Sequence, residues 1–196
     1  MATADRPADE AGDHALVELA LGDDGRAAFG RLILRRQGVV RARLRRLTGG
    51  DGAWADDLAQ ETFLRAWKNL GQFRREARFE TWLFRIAFTT FVQSARRRRV
   101  EVEYGPAQEI GDTDPPRDSA LRLDLARALG ALNEGERMAI ILFYQMDLSL
   151  AEVAYVQDLP PETVKTRISR AKARLRLRLV AWKTGQEGPE ERFGDG

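Results

Sequence analysis

The sequence contains no cysteine and a single histidine, His14. Without cysteine there is no disulfide, thiolate nucleophile or cysteine-ligated zinc site, and one histidine leaves too few ligands for most metal centres and catalytic triads. No glycine-rich phosphate-binding loop is present either, so we expect neither an enzyme nor a protein with a bound cofactor or metal. Because chain ends are usually solvated, His14 is predicted to be exposed in an N-terminal tail.

Long hydrophobic runs are also missing. No apolar stretch approaches the roughly 18–20 residues that are needed to cross a bilayer. The first 25 residues carry seven acids against Arg6 alone, whereas a secretory signal has a basic start followed by an apolar stretch. We therefore expect a cytoplasmic protein that does not insert into a membrane.

Charged residues are segregated along the chain, although the net charge is only +2. Residues 26–54 and 161–183 each hold eight basic side chains and one acid, and residues 74–99 hold eight basic side chains and two acids. Such basic patches are typical of nucleic-acid-binding surfaces, because each lysine or arginine that meets a phosphate releases counterions. For any one patch, a solvated helix face is the alternative interpretation.

Hydrophobic residues recur at the period of a helix rather than of a strand, which predicts an all-α fold. Residues 100–119 are acidic and contain several glycines and prolines, so they are predicted to form a flexible linker between two small helical domains. The predicted divisions are an acidic N-terminal tail over 1–25, a first domain over 26–99, the linker over 100–119, a second domain over 120–183 and a C-terminal tail over 184–196.

The second domain contains the stretch LSLAEVAYVQDLPPETVKTRISRAKARLRLRL, which has the pattern of a helix, a short turn and a second helix. Ser149 and Glu152 fit a capping box, in which the first side chain caps a backbone N–H and the acid bonds back. Asn133 and Glu136 fit the same motif at an earlier helix start. The two prolines from Pro160 onward suit the first turn of the second helix, where a missing N–H costs nothing.

The second of these helices has the composition of a DNA-recognition helix. One narrow stripe is apolar and is predicted to pack inward, namely Val164, Ile168, Ala171 and Leu175. The other faces carry polar and basic residues, namely Glu162, Thr163, Lys165, Thr166, Arg167, Ser169, Arg170, Lys172 and Arg174. Arginine and lysine contact phosphates and guanine edges in the major groove, and serine and threonine make shorter contacts, so we interpret the pair as a helix-turn-helix.

Residues 56–99 combine aromatic side chains with arginines. The first helix of this segment is predicted to bury one side, made of Leu58, Phe63, Ala66, Trp67 and Leu70. After Gly71, a short basic loop, FRREAR, leads to the aromatic helix FETWLFRIAFTTF and then to four consecutive arginines. Aromatic rings interleaved with arginines can stack on unpaired bases, but core packing explains most of them equally well. We therefore expect only one or two of the rings to reach solvent.

Together, DDLAQETFLRAWKNLGQF followed by FETWLFRIA, and LSLAEVAYVQDLPPETVKTRISRAKARLR after the acidic linker, resemble the second and fourth conserved regions of bacterial sigma factors of the extracytoplasmic-function (ECF) type, in the sigma-70 family. The resemblance implies a dissociable subunit that binds core RNA polymerase and directs promoter-specific transcription initiation. It also implies a sigma region 2 domain followed by a region 4 helix-turn-helix domain. An anti-sigma factor is a further implied partner, besides the polymerase core and promoter DNA.

The resemblance also implies roles for individual residues. Core polymerase is bound by Asp57, Gln60 and Glu61. The −10 element is melted and read on its single strand by Arg74, Arg75, Arg78 and Trp82. The −35 element is read as duplex by Glu162, Thr163, Lys165, Thr166, Arg167, Ser169 and Arg170. Where many family members have an Arg-Asn pair, this chain has Phe88-Thr89, which leaves its −10 sequence preference open.

One alternative from another class is a helix-turn-helix regulator that binds duplex DNA without polymerase, with the aromatic half as a sensor or dimerisation domain. It accounts for residues 130–179 equally well. It does not account for the DDLAQETF face followed by an arginine-rich aromatic helix.

Overall fold

The computed structural model describes residues 6–22, 25–104 and 127–183. Every regular element in these ranges is helical, and the chain divides into two compact units, which confirms the predicted all-α fold with two small helical domains. The predicted C-terminal tail lies outside the described residues, as does the linker except for its first residues, because the last helix of the first unit continues to Tyr104. Within the described ranges, no helix combines the length and the apolarity that a membrane span requires.

The first unit consists of four helices and one short turn of 3₁₀ helix. They are α1 (Arg6–Ala20), α2 (Gly25–Leu47), α3 (Gly52–Asn69), the 3₁₀ turn Leu70–Gln72 and α4 (Phe79–Tyr104). Asp51 caps α3 by accepting a hydrogen bond from the Trp54 N–H at 2.9 Å. The largest fully buried side chains include Leu32 and Leu44 of α2 and Phe84 of α4, so α2 lies at the centre of the unit.

A buried ion-pair network joins α1, α2 and α4. The guanidinium of Arg36 on α2 contacts Asp13 of α1 at 2.6 Å and Glu80 of α4 at 3.2 Å. Glu80 also pairs with Arg43 at 2.8 Å, and the Arg43 guanidinium lies over the Phe84 ring. Because a buried charge is tolerated only when it is paired, these contacts hold the three helices in one arrangement.

Residues Arg6–Ala20, which fall within the predicted acidic N-terminal tail over 1–25, form the packed helix α1. Leu16 and Val17 are buried, and α1 packs against α2 and α4. Three of the acids that suggested a solvated tail have basic partners, since Asp13 is only 1% exposed and pairs with Arg36, and Glu10 and Glu18 pair with arginines after Gly71. His14 is partly buried, with its ring 6.1 Å from that of Phe73, so it is not the solvated tail residue that was predicted.

In the second unit, residues 127–130 are helical and are followed by a capped helix. The elements that follow along the chain are α5 (Glu134–Ile140), a π-helical turn (Ile141–Gln145), α6 (Leu150–Gln157) and α7 (Pro161–Lys183), of which Ala154–Asp158 at the end of α6 are grouped with the first unit. Asn133 accepts a hydrogen bond from the Glu136 N–H at 2.8 Å and donates its own N–H to the Glu136 carboxylate at 3.4 Å, which confirms the predicted capping box. Helix α5 packs against α7.

Candidate nucleic-acid interface

The start of α6 is fixed by the second predicted capping box. The Ser149 N–H donates to the Glu152 carboxylate at 2.9 Å, and the Ser149 hydroxyl accepts from the Glu152 N–H at 3.3 Å. The helix ends at Gln157, and Asp158 adopts a left-handed backbone with φ of 56°, which asparagine and aspartate tolerate better than most residues. Helix α7 then begins at Pro161. The helix, the turn and the second helix therefore occur where the sequence predicted them.

The inward stripe of α7 is present as predicted. Val164, Ile168 and Ala171 are buried, and Leu175 is partly buried. On the opposite side, five of the seven residues assigned to −35 recognition are exposed, namely Glu162, Lys165, Thr166, Ser169 and Arg170. This side is free of apolar residues in its first two turns, where a recognition helix contacts base edges.

Arg167 occupies a different position from the rest of the recognition set. Its side chain is partly buried and lies against the first turn of α5, so that a Cβ on Gly135 would be 3.0 Å from the guanidinium carbon. Glycine at position 135 thus provides the space that the arginine occupies. Thr163, one turn earlier on α7, is also partly buried. The sequence pattern placed both residues on an outward face. It did not reveal the packing of α5 on that side of α7, because this contact joins residues that are far apart in the sequence.

The polar face of α3 contains the residues assigned to polymerase binding. Asp57 and Gln60 are exposed, and Glu61 is partly buried and accepts a hydrogen bond from Arg65 at 2.6 Å. Leu64 continues this face and is 59% exposed. The sequence analysis did not identify Leu64, and its position on the same face, three residues after Glu61, was the available signal.

Among the aromatic rings named in the sequence analysis, only Trp67 is exposed, at 39%. Its indole packs against the ring of Phe29. Trp67 was predicted to belong to the buried side of α3. The expectation that only one or two rings reach solvent is confirmed. Trp82, which was assigned to −10 DNA, is 7% exposed and packs within 5.6 Å of both Phe73 and Phe79, so that it supports the basic loop from the interior.

The basic loop between the 3₁₀ turn and α4 exposes its arginines. Arg74, Arg75 and Arg78 are all exposed, and Arg75 has a left-handed backbone with φ of 59°. Arg75 pairs with Glu18 of α1, and Arg78 pairs with Glu10 of α1 at 3.6 Å. The loop therefore presents three guanidinium groups to solvent while two of them contact carboxylates of the same chain.

Phe88 and Thr89 stand where many family members have an Arg-Asn pair. One of the two residues lies in the core and the other at the surface. Phe88 is 7% exposed and belongs to the core of the first unit. Thr89 is exposed, and its hydroxyl donates to the Arg85 carbonyl at 2.9 Å. The residue at the surface is therefore Thr89, and the proton of its hydroxyl already forms a hydrogen bond within the helix.

Beyond the loop, the arginine-rich end of α4 is partly tied to α3. Arg98 contacts the Asp51 carboxylate at 3.3 Å and lies over the Trp54 ring at 4.3 Å. The hydrogen bond from the Trp54 N–H, with help from Arg98, holds the pKa of Asp51 below its ordinary value of 3.8. Arg97 and Arg99 are exposed on the same segment. Among the described residues, no group of three or more side chains is arranged to hold a metal ion.

Two family models match the chain, Sigma-70 region 2 over residues 32–100 and Sigma-70, region 4, over residues 122–175. The RNA polymerase sigma factor CnrH of Cupriavidus metallidurans is 36% identical over 168 residues, which are 79% of this chain and 87% of CnrH. The ECF RNA polymerase sigma factor SigW of Bacillus subtilis is 32% identical over 140 residues, which are 64% of this chain and 75% of SigW.

Solved structures with a similar fold include two complexes. One contains CnrH with the cytosolic domain of CnrY, and it matches 87% of this chain and 98% of that chain at 31% identity with a TM-score of 0.58. The other contains the sigma factor RpoE with the anti-sigma factor NepR from Bartonella quintana, and it matches 78% of this chain and 96% of that chain at 30% identity with a TM-score of 0.56. The segments that the two family models match contain α3, the basic loop, α6 and α7 as far as residue 175.

Proposed function

The chain belongs to the sigma-70 family of RNA polymerase sigma factors, in the ECF group, and we propose that its two units divide promoter recognition between two forms of DNA. It is an alternative sigma factor that directs transcription initiation, and the alternative of a regulator that acts without polymerase is not favoured. In the proposed division, α7 reads the −35 element as duplex, and the basic loop with α4 melts and holds the −10 element. Its expected location is the cytoplasm, where polymerase and DNA are found.

The observation that carries the −35 assignment is the exposed side of α7. Lys165 and Arg170 project from a helix whose opposite stripe, including Val164 and Ile168, is buried, and the capped α6 and a short turn precede it. This is the arrangement by which a recognition helix enters the major groove. Arg167 packs against α5 and is assigned to positioning the protein on the DNA backbone. Arg170 is the candidate residue for contacting a base.

The −10 assignment is supported by the loop arginines. Arg74, Arg75 and Arg78 are exposed beside an aromatic cluster that fixes the loop ends, and single-stranded DNA is bound where cationic groups follow the backbone. Trp82 is retained in this proposal as a ring that becomes available only if the loop moves, since it is buried in the present arrangement.

The polymerase-binding surface is proposed to be the face of α3 that carries Asp57, Gln60 and Glu61, extended by Leu64. The exposed side chains of Asp57 and Gln60 lie on the same face of α3 as Leu64, which is 59% exposed, and protein interfaces typically combine apolar and polar residues in this way. We also propose an anti-sigma partner, because the solved relatives CnrH and RpoE are bound to CnrY and to the anti-sigma factor NepR.

The decisive experiment is transcription in vitro with purified core polymerase and a pool of fragments from the genome that encodes this protein. A sigma factor produces transcripts that begin at defined positions, which sequencing of the transcript 5′ ends identifies. Core polymerase alone serves as the control. If the added protein changes no start site, although it binds DNA fragments, the helix-turn-helix regulator becomes the better assignment.

A further inference from the structure

Helix α1 carries three residues at intervals of four, Glu10, His14 and Glu18, which form one stripe along the helix. All three contact the basic loop or its start. Glu10 pairs with Arg78 at 3.6 Å, the His14 ring lies 6.1 Å from the Phe73 ring, and Glu18 pairs with Arg75. We name these three residues the α1 stripe. The stripe therefore runs along the loop from one end to the other.

The α1 stripe is held in this position by the interior of the first unit. Asp13, adjacent to the stripe, is 1% exposed and pairs with Arg36 at 2.6 Å and with Arg35 at 3.4 Å. Leu16 and Val17 are buried on the same helix. Because a buried ion pair cannot be broken without leaving an uncompensated charge, α1 remains docked while its exposed acids contact the loop.

The contacts between the α1 stripe and the loop are exchangeable. The side chains of Arg75 and Arg78 are 49% and 45% exposed, and those of Glu18 and Glu10 are 64% and 36% exposed. Ion pairs at this level of exposure are weak and are screened by solvent. A DNA phosphate can therefore reach both arginines, but it has to replace a carboxylate that is already present.

We infer that the α1 stripe competes with promoter DNA for the loop, so that α1 lowers the affinity of the free protein for single-stranded DNA. The inference rests on the proposed function, in which Arg75 and Arg78 contact the −10 strand. Two consequences of the geometry combine. Each arginine must exchange a carboxylate for a phosphate, and each carboxylate that remains nearby repels the phosphate. Helix α1 also precedes the matched region 2 segment, which begins at residue 32, so the competitor lies outside the part of the chain that the family model covers.

The test measures binding of the full-length protein to a fluorescein-labelled single strand of mixed sequence by fluorescence anisotropy. The variant Glu10→Gln/Glu18→Gln keeps the shape of both side chains and removes both charges. Two exposed ion pairs correspond to a gain in affinity of about 2- to 30-fold. The matched control, Asp56→Asn/Asp147→Asn, removes two acids elsewhere, of which Asp56 has a 45% exposed side chain in an ion pair with Arg41, and Asp147 is exposed with φ of 54° that asparagine also accepts. Far-ultraviolet circular dichroism confirms that each variant is folded.

The same pair of Gln substitutions is then placed in an Arg75→Ala/Arg78→Ala background. The inference requires that the gain over the control disappears there, because the arginines through which the acids act are gone. Equal gains in DNA affinity for the α1 variant and for the control would overturn the inferred competition. The assignment of the loop to DNA binding would still stand if the Arg75→Ala/Arg78→Ala variant binds less DNA than the unmodified protein. If the alanine variant binds DNA as well as the unmodified protein does, the loop assignment and the competition fall together.

Discussion

The buried carboxylate of Glu136 on α5 accepts a hydrogen bond from Arg174 on α7 at 2.8 Å. The Glu136 side chain is 3% exposed, whereas that of Arg174 is 53% exposed. The same carboxylate accepts the Asn133 N–H and completes the capping box of α5. The Glu136 side chain thus caps α5 and also binds α7. Arg174, which the sequence placed on an outward face, is paired with this buried carboxylate.

Glu136→Ala is expected to lower the free energy of unfolding of the second unit by about 1–3 kcal/mol, because it removes a cap and a buried hydrogen bond to a charged group. Arg174→Ala is expected to destabilise it as well, since it leaves the buried carboxylate without its cation. The control is Arg170→Ala, one turn earlier on the exposed side of α7. Urea unfolding followed by circular dichroism measures all three, and a stable Glu136→Ala variant would contradict the structural role.

Arg170 is expected to discriminate between bases in the −35 duplex. Arg170→Ala should cost about 1–3 kcal/mol of discrimination between the −35 element found in the transcription experiment and a mismatched one. Arg167→Ala should instead weaken binding to both sequences alike, because its guanidinium lies against Gly135 rather than projecting outward. Anisotropy titrations with matched and mismatched duplexes measure the difference, and equal loss of discrimination in both variants would return Arg167 to the base-reading set.

The loop arginines are expected to act after duplex binding. Arg75→Ala/Arg78→Ala should leave binding to a −35 duplex nearly unchanged and reduce open complexes severalfold, since contacts to each unpaired base contribute on the order of 1–3 kcal/mol. Permanganate reactivity of thymines near the start site measures the opening. On a template already unpaired at −10, the deficit should shrink. Loss of −35 duplex binding in this variant would contradict the proposed division.

The face of α3 is expected to bind core polymerase. Asp57→Arg/Gln60→Ala should weaken co-purification with core polymerase by more than about fivefold, or ~1 kcal/mol, while the helical content stays the same. The control is Asp56→Arg, a charge reversal one residue earlier on the side of α3 where Asp56 pairs with Arg41 at 3.3 Å. Equal weakening in both variants would indicate a general charge effect rather than a specific face.

Asp51 is expected to contribute to the acid sensitivity of the first unit. The Trp54 N–H, with help from Arg98, lowers the pKa of Asp51 below 3.8 in the folded state, so the ionised cap stabilises the fold above that pH. The contribution is lost as the pH falls through the lowered pKa. Asp51→Asn retains an acceptor for the Trp54 N–H but cannot titrate. The stability difference between the two proteins, measured in urea from pH 7 to pH 2.5, should therefore change below about pH 4 and remain constant above it.

Local signals in the sequence predicted much of the second unit. Both capping boxes, the prolines at the start of α7 and the apolar stripe from Val164 depend on residues within about one or two turns of each other, and the structure confirms them. The assignments of single side chains to roles on DNA and polymerase remain predictions.

Long-range contacts account for what the sequence did not predict. Asp13 and Arg36 are 23 positions apart, so the acids of α1 suggested a solvated tail although their partners are basic residues of α2 and of the loop. Gly135 and Arg167 belong to different helices, and their contact is not visible in the periodicity of either. Trp82 was assigned to DNA from the resemblance, and its ring is instead buried in a cluster with those of Phe73 and Phe79.

The position of α1 also has a consequence for how the protein is made. A ribosome delivers α1 before α2 and α4, on which the helix packs, and Arg75 and Arg78 follow only after α3. A nascent chain that has reached α3 can dock α1 through Arg36, while Glu10 and Glu18 still lack their partners. We therefore expect the pair between Asp13 and Arg36 to be able to form during synthesis before Glu10 and Glu18 meet the loop.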